Sequence, residues 1–266
     1  MLTLLVNLAE SQERLTKMNT TLKRLGINYE RVEAINGKLL PQEVKEKITY
    51  PYNHFDTRVR FTRELTDGEI GCFLSHRACW AKLVDSNENF ALIMEDDIEI
   101  SKLATKYLLN SNWIPSSVDI CQLSCLEASQ KGRIKDKTLY IDETISLVAP
   151  LYPIPLGSHC YLISKQAATK ALSLSEKLPC PVDDFLFSPW FNMAKIFTIW
   201  RTAPTLVIPN QTLESTIGLR TKKYVKKAPF LIRHGLTRFI LDWQIKQSLK
   251  KGIQFDFKFI SKSSHQ

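Results

Sequence analysis

Apolar residues come in short runs along this chain, and the spacing within each run predicts its element. Leu2-Thr3-Leu4-Leu5-Val6 is nearly continuous, the pattern of a strand covered on both faces. Asn7 to Glu10 interrupt it as a loop. Ser11 stands where a helix cap belongs, and Leu15, Met18, Leu22 and Leu25 then recur at helical spacing up to a stop at Gly26. Residues 29–32 predict a second strand, closed by the turn pair Asn36-Gly37. Strand, helix and strand in this order predict a parallel βαβ unit.

The same reading continues along the chain. Residues 41–48 predict a short helix. Residues 49–63, with Pro51, Asn53, His54 and three arginines, predict a loop. Thr66 or Asp67 caps a long helix to about residue 84, with Ile70, Phe73, Leu74, Trp80 and Leu83 on its apolar face. Strands are expected at 119–123, within 139–148, at 157–164 and at 196–200. Helices are expected at 165–177 and 182–193. No internal repeat or low-complexity segment interrupts the alternation, which predicts an α/β domain over residues 1–220.

One run differs from the others. Phe90-Ala91-Leu92-Ile93-Met94 passes straight into Glu95-Asp96-Asp97. An unpaired charge is costly inside a buried strand, so the strand must end there and display its carboxylates at the C-terminal edge. In open α/β sheets that edge binds ligands. Hard divalent cations take oxygen donors, and Mg²⁺ is often held by one or two carboxylates together with substrate phosphates. The pattern alone leaves a metal–phosphate site and an acidic surface loop both open.

Composition narrows the class. The 266 residues are 44% apolar, enough for a sizeable core. No apolar segment reaches the roughly 20 residues that span a bilayer. The apolar start lacks a basic leader and meets Asn7 and Glu10 at once, so a cytoplasmic location is expected. Six scattered cysteines without a C-x-x-C pair read as reduced thiols.

The net charge of +9 is uneven. From Arg220 to Gln266 there are twelve Lys and Arg against two Asp, a net +10 that leaves −1 for the rest. Ile232, Leu236, Phe239, Ile240 and Trp243 form a helical stripe among these basic residues. Residues 221–266 therefore predict a basic, amphipathic helical tail lying on an anionic membrane surface. A docked C-terminal helix and a nucleic-acid arm are the alternatives. The apolar content argues against the arm, and no nucleic-acid partner is expected.

Several stretches together resemble glycosyltransferase family 25, the lipooligosaccharide and lipopolysaccharide glycosyltransferases of Gram-negative bacteria. They are Gly68-Glu69-Ile70-Gly71-Cys72-Phe73-Leu74-Ser75-His76 and Ala91-Leu92-Ile93-Met94-Glu95-Asp96-Asp97-Ile98. Asn7-Leu8, Arg14 and Ala34-Ile35-Asn36-Gly37 match its opening pattern. Gly157-Ser158-His159-Cys160-Tyr161-Leu162-Ile163-Ser164 and Pro181-Val182-Asp183-Asp184 look like its later motifs. The resemblance implies a GT-A, Rossmann-like fold with a mostly parallel central sheet, and a UDP-sugar donor with Mn²⁺ or Mg²⁺. It implies an inverting transfer of galactose or glucose, a β-galactosyltransferase activity being favoured. The acceptor would be a lipooligosaccharide or other oligosaccharide on the inner face of the inner membrane.

Roles follow on that resemblance. Asp97 is the first candidate metal ligand, Glu95 the second, and His234 a late third. Asp96 would touch ribose or sugar hydroxyls. Asn7, Leu8 and Arg14 would meet the nucleotide, Arg14 as a charged fork on phosphate. The turn Ala34-Ile35-Asn36-Gly37 would pack on uracil, and Ser75 and His76 would face the donor. Asp183, with Asp184 beside it, is the candidate general base. Each has a plainer alternative: a solvated arginine, an ordinary turn, a structural histidine, a helix cap. Two other functions compete: a metal-dependent phosphohydrolase or nucleotidyltransferase using the same carboxylates, and a lipid- or nucleic-acid-binding module acting through the tail.

Overall fold

Strand β1 (Leu2–Asn7), helix α1 (Gln12–Arg24) and strand β2 (Glu30–Glu33) open the chain in a computed structural model, as the apolar spacing predicts. The structure describes residues 1–49, 52–55, 60–151, 157–187, 196–210, 250 and 252–259. Helix α2 (Gln42–Ile48) and a hairpin of β3 (Tyr52–Phe55) and β4 (Arg60–Arg63) precede the long helix α3 (Asp67–Asp85). The central strand β5 (Phe90–Glu95) follows, then β6 (Ile98–Ile100) and a single helical turn, α4 (Thr105–Leu108). Strands β7 (Ile120–Gln122), β8 (Ser129–Tyr140), β9 (Ser146–Leu151) and β10 (Cys160–Ser164) come next. Helices α5 (Lys165–Leu174) and α6 (Val182–Phe187) and strands β11 (Ile199–Ala203), β12 (Val207–Pro209) and β13 (Ile253–Lys258) complete the described chain.

Nine strands form one sheet in the order β13-β8-β9-β11-β7-β10-β5-β1-β2. β1 lies parallel between β2 and β5, with Val6 level with Val32 and Glu95. β10 then enters antiparallel to β5. Beyond it, only β7 and β11 pair in parallel. The α/β class agrees with the expectation, and the sheet is parallel where its strand ends carry polar residues.

β5 reads as apolar throughout because helices and loops cover both of its faces. Ala91 and Ile93 pack with Leu4 and Val6 beneath Phe73 and Trp80 of α3 and Ala168 of α5. Leu92 and Met94 pack with Leu5 against Met18 and Leu22 of α1. All four β5 residues are fully buried, and Leu92, Ile93 and Met94 each stabilise the fold by about 1.5–3 kcal/mol. Helix α3 starts with a capping box: Glu69 N–H donates to Thr66 Oγ1 at 3.2 Å, and Thr66 N–H to Glu69 Oε2 at 2.9 Å. Gly26 closes α1 in the left-handed region at φ +70°, as expected of a helix stop. Ser11 holds the cap position of α1, but its side chain makes no capping bond.

Two expectations need correcting. Residues 49–63 are expected to be a loop and instead contain the β3–β4 hairpin. The helical tail is the second. Ile253–Lys258, within the segment assigned to it, are a strand paired with β8, Phe257 opposite Gln130. Alternation is the reason: Ile253, Phe255 and Phe257 take turns with Gln254, Asp256 and Lys258, a period of two. The apolar stripe from Ile232 to Trp243 lies outside the described residues. Among those described, no helix is long and apolar enough to cross a membrane.

Candidate active site

The register of three strands assembles the site. Because Val6 is level with Glu95, the next residue along β1, Asn7, comes to lie beside Asp96. Asn7 Nδ2 donates to Asp96 Oδ2 at 2.6 Å. Arg14, in the first turns of α1, reaches Asp96 Oδ1 at 3.2 Å and Asp97 Oδ2 at 3.5 Å. From the other side β10 runs antiparallel to β5, so the turn before it arrives at the end of β5. There Glu95 N–H donates to the His159 carbonyl at 2.9 Å, and Ser158 Oγ donates to Glu95 Oε1 at 2.9 Å. Asp97 is held through its carbonyl, which accepts Asn210 N–H at 2.6 Å.

These residues wall an open cleft. Leu8, Arg14, Ala34, Ile35, Asn36, Gly37, Ser75, His76, Glu95, Asp96 and Asp97 line it, together with Cys72 and His159. The cleft thus brings together the predicted donor-facing residues and the Glu95-Asp96-Asp97 carboxylates, but not Asp183 or Asp184. Asn7 lies one step behind the lining, 1% exposed, as the support of Asp96.

Several roles differ in detail from those expected. Arg14 is already paired with two carboxylates. Ser75 is not turned to a ligand: its hydroxyl accepts Ile35 N–H at 2.8 Å and donates to the Gly71 carbonyl at 2.7 Å. It locks the Ala34–Gly37 turn onto α3. That contact is close enough to require glycine, since a Cβ on Gly71 would lie 2.3 Å from the Ile35 carbonyl oxygen. His76 is fully buried on the cleft floor, with Nδ1 2.8 Å from Tyr161 Oη and Nε2 3.4 Å from Glu95 Oε1.

The carboxylates sit in unlike environments. Burial alone would push Glu95 up, but His159, His76 and Ser158 together hold it below the usual carboxylate range. Asp97 moves the other way. Burial, then the charges of Glu95 and Asp96, raise it, and His159 and Arg14 offset only part of this. Asp97 Oδ1 is buried with no hydrogen-bond partner among the described residues. A buried acceptor in a crowd of negative charge is a place for a cation.

Asp183 and Asp184 stand at the head of α6 and do not line the cleft. Asp184 is buried, while Asp183 is half-buried and close enough for its charge to act on Cys72 with those of Glu95 and Asp97. His234 lies outside the described residues. The sequence reading gave no role to Cys72, Ser158 or His159. All three lay in quoted motifs, but only the antiparallel arrival of β10 shows that Ser158 and His159 meet Glu95.

The family model described as "Glycosyltransferase family 25 (LPS biosynthesis protein)" matches residues 1–186. The chain belongs to glycosyltransferase family 25. Among curated proteins, a glycosyltransferase 25 family member of Anopheles gambiae is 27% identical over 223 residues, covering 77% of this chain and 36% of its own length. Procollagen galactosyltransferase 1-B of Xenopus laevis is 30% identical over 198 residues, covering 68% of this chain and 30% of its own. This family 25 chain thus spans about a third of the length of the curated relatives it matches. Among solved structures, a glycosyltransferase involved in the glycosylation of the major capsid of PBCV-1 aligns with a TM-score of 0.43 at 9% identity, covering 80% of this chain and 93% of that one.

Proposed function

We propose that this chain transfers a hexose, galactose in the first instance, from a UDP-sugar to a lipooligosaccharide core saccharide with inversion at the anomeric carbon. The observation that carries the reading is Asp97 beside Glu95 and Asp96 at the end of β5, lining an open cleft and holding a buried oxygen with no hydrogen-bond partner among the described residues. Galactose follows the procollagen galactosyltransferase relatives, and the acceptor follows the family's link to lipopolysaccharide biosynthesis.

Asp97 and Glu95 would hold Mn²⁺ or Mg²⁺, and the orphaned Asp97 oxygen fits a hard cation. When bound, the ion neutralises charge on the leaving diphosphate. Asn7 and Arg14 fix Asp96 for the ribose or sugar hydroxyls, and Ser158 fixes Glu95. Asp183, the more accessible of the α6 pair, would accept the proton of the attacking hydroxyl. The net +10 of residues 220–266 supports docking on anionic lipid at the cytoplasmic face of the membrane that bears the acceptor.

Isothermal titration with UDP, UDP-galactose and UDP-glucose, each with and without Mn²⁺, tests the donor. The expected result is Mn²⁺-dependent binding of UDP and one hexose donor. No nucleotide binding under either condition overturns the reading. An assay with a lipooligosaccharide core and a collagen peptide side by side tests the acceptor. Transfer to the peptide alone would keep the donor and replace the acceptor. Diphosphate released without any acceptor would instead favour a phosphohydrolase or nucleotidyltransferase.

A further inference from the structure

The floor of the cleft carries a second set of metal donors, chemically unlike the first. Cys72 Sγ, a ring nitrogen of His76 and a carboxylate oxygen of Glu95 all lie within 4.8 Å of one another. Cys72 and His76 are four residues apart on α3 and so share a face, and Glu95 enters from β5. His76 is completely buried, and its Nε2 makes no hydrogen bond among the described residues, although it lies 3.4 Å from Glu95 Oε1. We propose that Cys72, His76 and Glu95 form a zinc site, with the fourth coordination position open to the cleft.

Three observations beyond proximity point to zinc. The first is spacing. Zn–N and Zn–O bonds of about 2.0–2.2 Å set tetrahedral neighbours roughly 3.3–3.5 Å apart, which is the His76–Glu95 separation. The second is support behind the ligand. Zinc-bound histidines use their other ring nitrogen for a hydrogen bond, and His76 Nδ1 lies 2.8 Å from Tyr161 Oη. That oxygen also accepts Trp80 Nε1–H at 2.9 Å, so the ring is anchored deep in the core. The third is softness. A thiolate with an imidazole selects Zn²⁺, whereas Mn²⁺ and Mg²⁺ prefer the all-oxygen surroundings of Asp97.

The proton balance is simple. Zn²⁺ replaces the proton of the Cys72 thiol, which goes to solvent. His76 coordinates through Nε2 as the neutral Nδ1–H tautomer, with Nδ1 held 2.8 Å from Tyr161 Oη. Glu95 binds as the carboxylate it already is. Glu95 is shared with the proposed donor ion, so zinc is expected to compete with Mn²⁺-supported turnover, and only this consequence rests on the proposed transferase activity.

Cobalt makes the site visible without any assay of turnover. Co²⁺ added to the full chain is expected to give a thiolate-to-metal charge-transfer band in the near ultraviolet and strong tetrahedral d–d absorption, both erased by Zn²⁺. Cys72→Ser should lose the charge-transfer band and bind Zn²⁺ at least about a hundredfold more weakly by calorimetry, with its melting temperature showing that it is folded. A wild-type Co²⁺ complex without a thiolate band overturns the proposal, and this result needs no variant. So does Zn²⁺ affinity that is unchanged in Cys72→Ser but lost in Asp97→Asn, which would put the metal on Asp97. Failure of Mn²⁺-dependent UDP binding on the same sample would remove the transferase reading and leave the cobalt result standing.

Discussion

The two ends of the nine-stranded sheet are built differently. At β2-β1-β5 the strands run parallel, so their C-terminal ends lie along one edge and the polar residues that finish each strand converge there. At β9-β8-β13 direction alternates from strand to strand, and no such edge exists. The central strands of the parallel end are apolar and buried on both faces. β8 is mostly polar, and its buried side chains are few: Ile134 joins Phe257 of β13, Val148 and Cys125 in a small separate cluster. Chemistry gathers at the parallel end because its topology brings side chains from distant parts of the chain to one place. The antiparallel end contributes cover and stability.

Phe257→Ala should have the largest effect and should stay local. Phe257 is fully buried and stacks on the guanidinium of Arg201 at 4.2 Å. Truncation is expected to cost about 3–5 kcal/mol in denaturant melts. The folded fraction should bind UDP as the wild type does, and a loss of binding there would show the two ends to be coupled. Asp97→Asn should do the reverse. Mn²⁺-dependent UDP binding and transfer should fall at least about a hundredfold, near 2.7 kcal/mol. Thermal stability should hold or rise, because one negative charge leaves a crowd that includes Glu95 and Asp96. A folded Asp97→Asn protein with full transfer activity would remove Asp97 from the site.

Gly71→Ala joins stability to site geometry. The added methyl would meet backbone on two sides, the Ile35 oxygen at 2.3 Å and Gly37 nitrogen at 2.7 Å, and neither can swing away as a side chain would. A loss of about 1–3 kcal/mol is expected in thermal or chemical melts, with weaker nucleotide binding as the Ala34–Gly37 turn lifts off α3. Normal stability would mean that the turn and helix are less tightly joined than they look.

What could be read from the sequence follows the same division. β1 and β5 announced themselves because burial on both faces leaves only apolar residues, and Glu95-Asp96-Asp97 marked where that burial ends. β8 could not be read. Its lysines, arginine and aspartate carry no alternation, and its partner β13 lies more than a hundred residues further along the chain. Within the site, residues on the chain's own strand ends, Asn7 and Asp97, were legible. Ser158 and His159 were not assigned, since their role depends on the strand after them running antiparallel to β5. Ser75 lines the cleft, but its hydroxyl serves the backbone, a matter of side-chain direction that spacing cannot give.

The smallest predicted effect asks whether the parallel edge works through particular hydrogen bonds. Asn7 donates to Asp96 and to the Ser11 carbonyl, and its Oδ1 accepts Arg31 Nε–H at 3.0 Å. In Asn7→Ala, Asp96 keeps Arg14, and Arg31 keeps the Asn7 carbonyl at 3.5 Å and Glu33 at 3.6 Å. The loss should therefore be near that of one ordinary hydrogen bond, about 1 kcal/mol, measured as a several-fold rise in donor KM with kcat nearly unchanged. Asn7→Asp places a second carboxylate where the 2.6 Å bond to Asp96 was, so it should be worse than alanine in both stability and KM. If the two variants behave alike, Asn7 fills space at the strand end, and Asp96 is held by Arg14 alone.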